Sequence, residues 1–194
     1  MSESADLCEL RDLALRKIGR NVVNFQKVET CLRFLIAVSD VETSHSQSGT
    51  VQAKRVAKAK RVPFGQLIDM FHRTVCGADL QSHDAADETK VVITTSFRLQ
   101  GDPSDVKRQK RVLSALVAER NRLIHKDLAG FDHNSIEACR SLVKGLDEQN
   151  VRVLDQLSSL AAVISIYKEC IAELKAWAST AEPLGMSTDV HHDA

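Results

Sequence analysis

Turn-forming and aromatic residues are scarce. The 194-residue chain holds 8 glycines, 3 prolines and 4% aromatic residues. Sandwiches and barrels need many tight turns and many β-branched or aromatic strand-formers, so this shortage argues against them and for an all-α chain. No apolar run approaches the roughly 20 residues a membrane span requires, so no contact with a bilayer core is expected. The opening MSESADLCEL is acidic, with no basic stretch ahead of an apolar one, and does not read as a secretory signal. Charge of either sign is not in excess, since 26 Lys+Arg balance 26 Asp+Glu. Any pull toward a polyanion must therefore come from local patches. The five cysteines lack C-x-x-C or other zinc spacing and are odd in number, which suits reduced thiols in a cytoplasmic protein.

What the chain does hold is helical periodicity. From residue 7 to 38, Leu7, Leu10, Ala14, Ile18, Val22, Phe25, Val28, Leu32 and Leu35 recur at steps of three and four, giving one buried stripe. The polar stretch 39–50 reads as a loop. A short basic helix is expected over 51–61, and a further one begins at Pro63 and runs to Gly77. Residues 78–90 form a second polar loop. The β-branched run 91–97 lacks an evident strand partner and is expected to be extended or to make a small local pairing. Asp102-Pro103-Ser104 opens a helix running from 105 to about 126. The last helix carries Ile136, Cys139, Val143, Leu146, Asn150, Val153, Leu157, Leu160, Ile164, Tyr167, Ile171, Leu174 and Ala178 in the same rhythm. Such sustained spacing predicts a coiled-coil-like seam, and Asn150 on it is expected to fix register or pairing. The expected architecture is one up-down helical bundle over residues 1–180 with long N- and C-terminal helices, followed by a disordered tail at 181–194.

One helix concentrates residues with chemical capacity. In QKRVLSALVAERNRLIHKDL, Arg120 falls within the apolar stripe of Leu113, Val117 and Ile124, where a charge is costly unless paired or set at a wet cleft. Asn121 and His125 are four apart on an adjacent edge. Arg120 and His125 differ by about 140° on an ideal α-helix, so a second helix or a second subunit is expected to complete a tight site. A histidine titrating near neutrality serves as base or acid, and an arginine fork matches phosphate oxygens at any working pH. Lys107, Arg108, Lys110 and Arg111 precede them on the same helix, and Lys54, Arg55, Lys58, Lys60 and Arg61 form another basic run; both could steer a polyanion. No carboxylate cluster suggests a metal, and no cofactor motif is present. The purely structural alternative pairs Arg120 with a buried acid such as Glu29 and leaves His125 as a helix C-terminal histidine favoured by the dipole.

Arg120, the polar Asn121 and His125 five positions after the arginine resemble the motif of the HEPN superfamily. That resemblance implies an all-α bundle, commonly dimeric with two motifs facing each other. It also implies metal-independent endoribonuclease activity of the kind found in toxin–antitoxin and phage-defence systems, with RNA as substrate and an antitoxin or effector protein as partner. Arg120 and His125 would then be catalytic and Asn121 the accompanying polar residue. Some HEPN toxins carry a modifiable Tyr two residues after the His; Asp127 stands there in this chain, so that form of control is not expected. The alternative function is a non-catalytic helical dimeric module that binds protein or RNA through the same seam and basic faces.

Overall fold

A computed structural model describes residues 2–44, 57, 59, 61–77 and 92–180. Four helices and one small hairpin-like pair of strands make up these residues: α1 (Ser2–Val38), β1 (Asp40–Ser44), α2 (Phe64–Thr74), β2 (Val92–Ser96), α3 (Pro103–Arg122), a π-helical turn (Leu123–Asp127) and α4 (Ile136–Thr180). The chain is all-α in class, as its composition requires, and its longest elements are the 37-residue α1 and the 45-residue α4. Of the expected basic helix over 51–61, residues 57, 59 and 61 are described and are helical; the rest of it lies outside the described residues, as do the loop at 78–90 and the tail at 181–194.

Local chemistry accounts for the helix starts. Asp102 accepts from the Ser104 backbone N–H at 2.7 Å, and Pro103 occupies the first turn, where its missing donor costs nothing. Ser135 caps α4 by accepting from Ala138 N–H at 3.2 Å. Pro63 stands immediately before α2.

The core is one continuous apolar cluster. Phe25, Val28, Leu32 and Leu35 of α1 meet Leu67, Ile68 and Phe71 of α2, Leu113 and Leu116 of α3, and Leu146, Val153 and Leu160 of α4. Partner numbers on α1 and α4 rise together: Lys17 and Arg20 pair with Asp147, Asn24 donates to Asn150 Oδ1 at 2.9 Å, and the Phe34 ring meets Tyr167 at 5.8 Å. The first and last helices therefore run parallel. The reversal falls to α3, whose Glu119 binds Arg152 while Gln109 and Val112, nearer its start, share a groove with Gln156 and Ser159 farther along α4. The sense of α1, α3 and α4 is thus up, down, up, with α2 packed against α1 and α3.

Two sequence expectations need adjustment here. The polar segment read as a loop at 39–50 supplies β1, which pairs antiparallel with β2 from Asp40 opposite Ser96 to Ser44 opposite Val92. Backbone pairing provides the partner that β2 seemed to lack; Phe97 N–H donating to Ser39 O at 2.7 Å and Leu99 N–H donating to Val75 O at 2.7 Å extend the tie to the ends of α1 and α2. The first part of the α4 seam packs within the same chain: Cys139, Leu146, Val153 and Leu160 are buried, and Asn150 finds its partner in Asn24. Farther along the same seam Leu174 is 43% exposed.

Candidate functional site

Helix α3 presents two faces. Leu113, Leu116 and Leu123 are buried, while Lys107, Arg111, Ser114, Ala118, Asn121 and His125 are all exposed and share the opposite side. Arg120 starts from the inner side and is half-buried. Its guanidinium does not go to Glu29, which is bound by Arg33 of the same helix. Instead Nη1 of Arg120 donates to Asn121 Oδ1 at 3.2 Å. The expected buried ion pair of the structural alternative is absent among the described residues, and Arg120 turns toward the outer face. Because Asn121 Oδ1 accepts from Arg120, the Asn121 amide nitrogen is left as an outward donor.

The π turn reshapes the far end of this face. Leu128 N–H donates to Leu123 O at 3.0 Å, an i→i+5 bond that widens the helix by one residue. A residue four places on, about 40° away in an α-helix, is brought nearly into line by the smaller angular step of a π turn. His125 consequently stands one turn beyond Asn121 along the same edge, and its offset from Arg120 shrinks from about 140° to roughly 100°. Among the described residues no hydrogen bond links His125 to Arg120 or Asn121. The structure thus joins Arg120 to Asn121 directly and aligns His125 with Asn121. Asp127 pairs with Arg122 at 3.5 Å.

The basic segment at the start of α3 is partly engaged. Arg108 pairs with Asp105 at 2.9 Å, and Lys110 with Asp69 at 2.7 Å, a contact that holds the Asp69 carboxyl below its ordinary range. Lys107 and Arg111 have no ion pair among the described residues. In the other basic run Arg61 is exposed, and Lys54, Arg55, Lys58 and Lys60 lie outside the described residues. No three His, Cys, Asp or Glu side chains converge among the described residues. Burial pushes the Cys76 thiol up to about 11 and raises Cys31 as well, which keeps both protonated and unreactive.

Two polar residues of α1 escape a reading based on apolar periodicity. Asn21 is fully buried and donates to Leu146 O at 2.8 Å and to Gln149 Oε1 at 2.9 Å. Asn21 and Asn24 each immediately precede an apolar seam position, Val22 and Phe25, and are spaced by three. Two amides at helical spacing beside a core stripe, facing Gln149-Asn150 on another helix, are the signal that would have found them.

Gln149 also lines an open groove of about 540 Å³ between the π turn and the first turns of α4, together with Arg122, Leu123, Asp127, Leu142 and Gly145. No helix among the described residues is long and apolar enough to cross a membrane. Comparison with family models, with curated proteins and with solved structures finds no match.

Proposed function

We propose that this chain is a HEPN-like, metal-independent endoribonuclease acting in the cytoplasm as a toxin or phage-defence effector, with a second copy of the chain and an inhibitory or effector protein as partners. The observation that supports this reading is the Arg120–Asn121 hydrogen bond on the edge that also carries His125. It turns a cation of the inner face toward solvent and orients the Asn121 amide outward, beside an imidazole. Arg120 spends one of its five N–H donors on Asn121, so the rest of its fork is available to a phosphate.

The chemistry follows from those groups. His125 takes the proton of a ribose 2′-hydroxyl, whose oxygen forms a bond to the adjacent phosphorus. The bond from phosphorus to the 5′-oxygen breaks, and that oxygen collects a proton from a protonated His125, in the same copy or in a second one across a dimer cleft. Arg120 and the Asn121 amide donate to the non-bridging oxygens, where negative charge builds. The products are a 2′,3′-cyclic phosphate and a 5′-hydroxyl. Lys107 and Arg111, on the same exposed side, steer the strand along α3.

A second reading has its own support: Val151, Leu154 and Ile166 are exposed on α4, and Trp177 near its end is 67% exposed. Such residues suit a protein contact and need no catalysis. Incubating the purified chain with labelled RNA in excess chelator separates the two. Defined fragments that vanish in His125→Ala support the nuclease; intact RNA with wild-type protein favours the binding module.

A further inference from the structure

The groove beside the π turn holds a polar group whose direction is fixed. Gln149 is only 4% exposed. A backbone carbonyl can only accept, so the Asn21 amide must aim its nitrogen at Leu146 O, and the same nitrogen meets the Gln149 side chain. The Gln149 atom facing Asn21 is therefore its oxygen. Its nitrogen is turned away, and among the described residues nothing accepts from it, although Gln149 lines the groove. A fully buried residue on one helix thus holds a donor amide in place on another.

The surroundings are partly apolar, with Leu142 the half-buried leucine of the wall and Leu123 and Leu146 almost fully covered. Leu123, Leu142 and Leu146 line the groove, and at Gly145 an added Cβ would meet nothing within 4 Å. Asp127 and Asp132 add carboxylate acceptors. Leu123 and Asp127 of the groove belong to the same five-residue turn as His125.

We propose that this groove is a nucleobase subsite, receiving one base of a single-stranded RNA through the Gln149 amide, the carboxylate rim and the apolar wall at Leu142. The inference rests on the ribonuclease reading for the identity of the polymer, and its geometry for the base. Every base has an apolar face to lay on leucine, an acceptor for an amide N–H and a donor for a carboxylate. The groove then sets which nucleotide sits beside the phosphate at Arg120 and His125.

The test is a titration of ¹⁵N-labelled protein with the four nucleoside 5′-monophosphates, with ribose 5-phosphate as the control that lacks a base. The mononucleotides should shift the Gln149 side-chain amide and the Gly145 backbone amide, and ribose 5-phosphate should leave both in place. Gly145→Leu, which fills the open space, should weaken mononucleotide binding at least tenfold without lowering the thermal midpoint. Absence of these shifts, or equal shifts from ribose 5-phosphate, overturns the subsite, and this wild-type comparison is decisive even if the variant does not fold. The readout needs no cleavage. Shifts without any RNA cleavage would retain the base site and remove the nuclease; cleavage with unchanged KM and cut pattern in a folded Gly145→Leu would do the reverse.

Discussion

Arg120 donates to Asn121, the very next residue, and in doing so crosses from the inner face of α3 to its outer face. The bond places an arginine without a carboxylate partner, among the described residues, at the rim of the one exposed edge that also carries a histidine. A change in activity and a change in stability can therefore be told apart there, because neither side chain belongs to the buried core.

Arg120→Ala and His125→Ala should each reduce RNA cleavage at least a hundredfold. Their unfolding free energies should stay within about 0.5 kcal/mol of wild type, the usual range for surface changes. Urea melts alongside the cleavage assay check both halves. A loss of several kcal/mol in Arg120→Ala would instead reveal a buried charge partner; full activity in either variant would remove it from the site.

The proposed attack by the 2′-hydroxyl predicts a diagnostic product. Cleavage should persist in EDTA and leave a 2′,3′-cyclic phosphate on the upstream fragment. RNA with a 2′-methoxy group at the cut position should bind and resist cutting. Rising ionic strength should slow the reaction, since Lys107 and Arg111 act through screened charge. Dependence on added magnesium would contradict the mechanism.

The α1–α4 register depends on Asn21. Asn21→Leu removes the donor from Gln149 Oε1, while Leu146 O keeps the Arg20 guanidinium at 3.3 Å, and an unsatisfied buried acceptor costs about 1–3 kcal/mol. The urea midpoint should fall accordingly. Asn24→Ala, whose single bond to Asn150 is only partly buried, should cost less.

His72 gives the fold a dependence on pH. It is 8% exposed, lies edge-on to Phe71, and both ring nitrogens lack a hydrogen-bond partner among the described residues. Burial, reinforced by Lys110 and opposed by Asp69, lowers its pKa below the ordinary value. The unfolded chain then binds the proton more readily than the folded one. The contribution from neutral His72 is therefore complete above the unfolded pKa of about 6.5, and is lost as pH falls below it toward the folded value. The urea midpoint should drop between pH 7.5 and pH 5.5, and His72→Leu should flatten that change. An equal drop in the variant would assign the effect elsewhere.

Assembly should not use the stretch of α4 that is packed on α1. Light scattering at micromolar concentration is expected to give about twice 21.4 kDa. Leu154→Glu, on the exposed side of α4, should return the chain to a monomer with its melting behaviour intact. A strict monomer in wild type would remove the composite site that a second copy would complete.

The sequence by itself determined the class of this protein and most of its helices. Few glycines and prolines, and apolar residues at steps of three and four, suffice for that, because a helix face is a property of neighbouring positions. Asp102, Pro103 and Ser135 mark helix starts for the same local reason. The placing of Arg120, Asn121 and His125 at one helix end was also legible, being a matter of spacing. Only the tertiary structure decided that the α4 stripe packs against a parallel α1, since an apolar seam carries no label for its partner. The pairing of β1 with β2 across 50 residues, the π turn that draws His125 into line with Asn121, and the Asn21–Gln149 bond across two helices depend on that packing. A one-dimensional pattern specifies which side of an element is buried; what it is buried against is fixed by contacts between residues far apart in the chain.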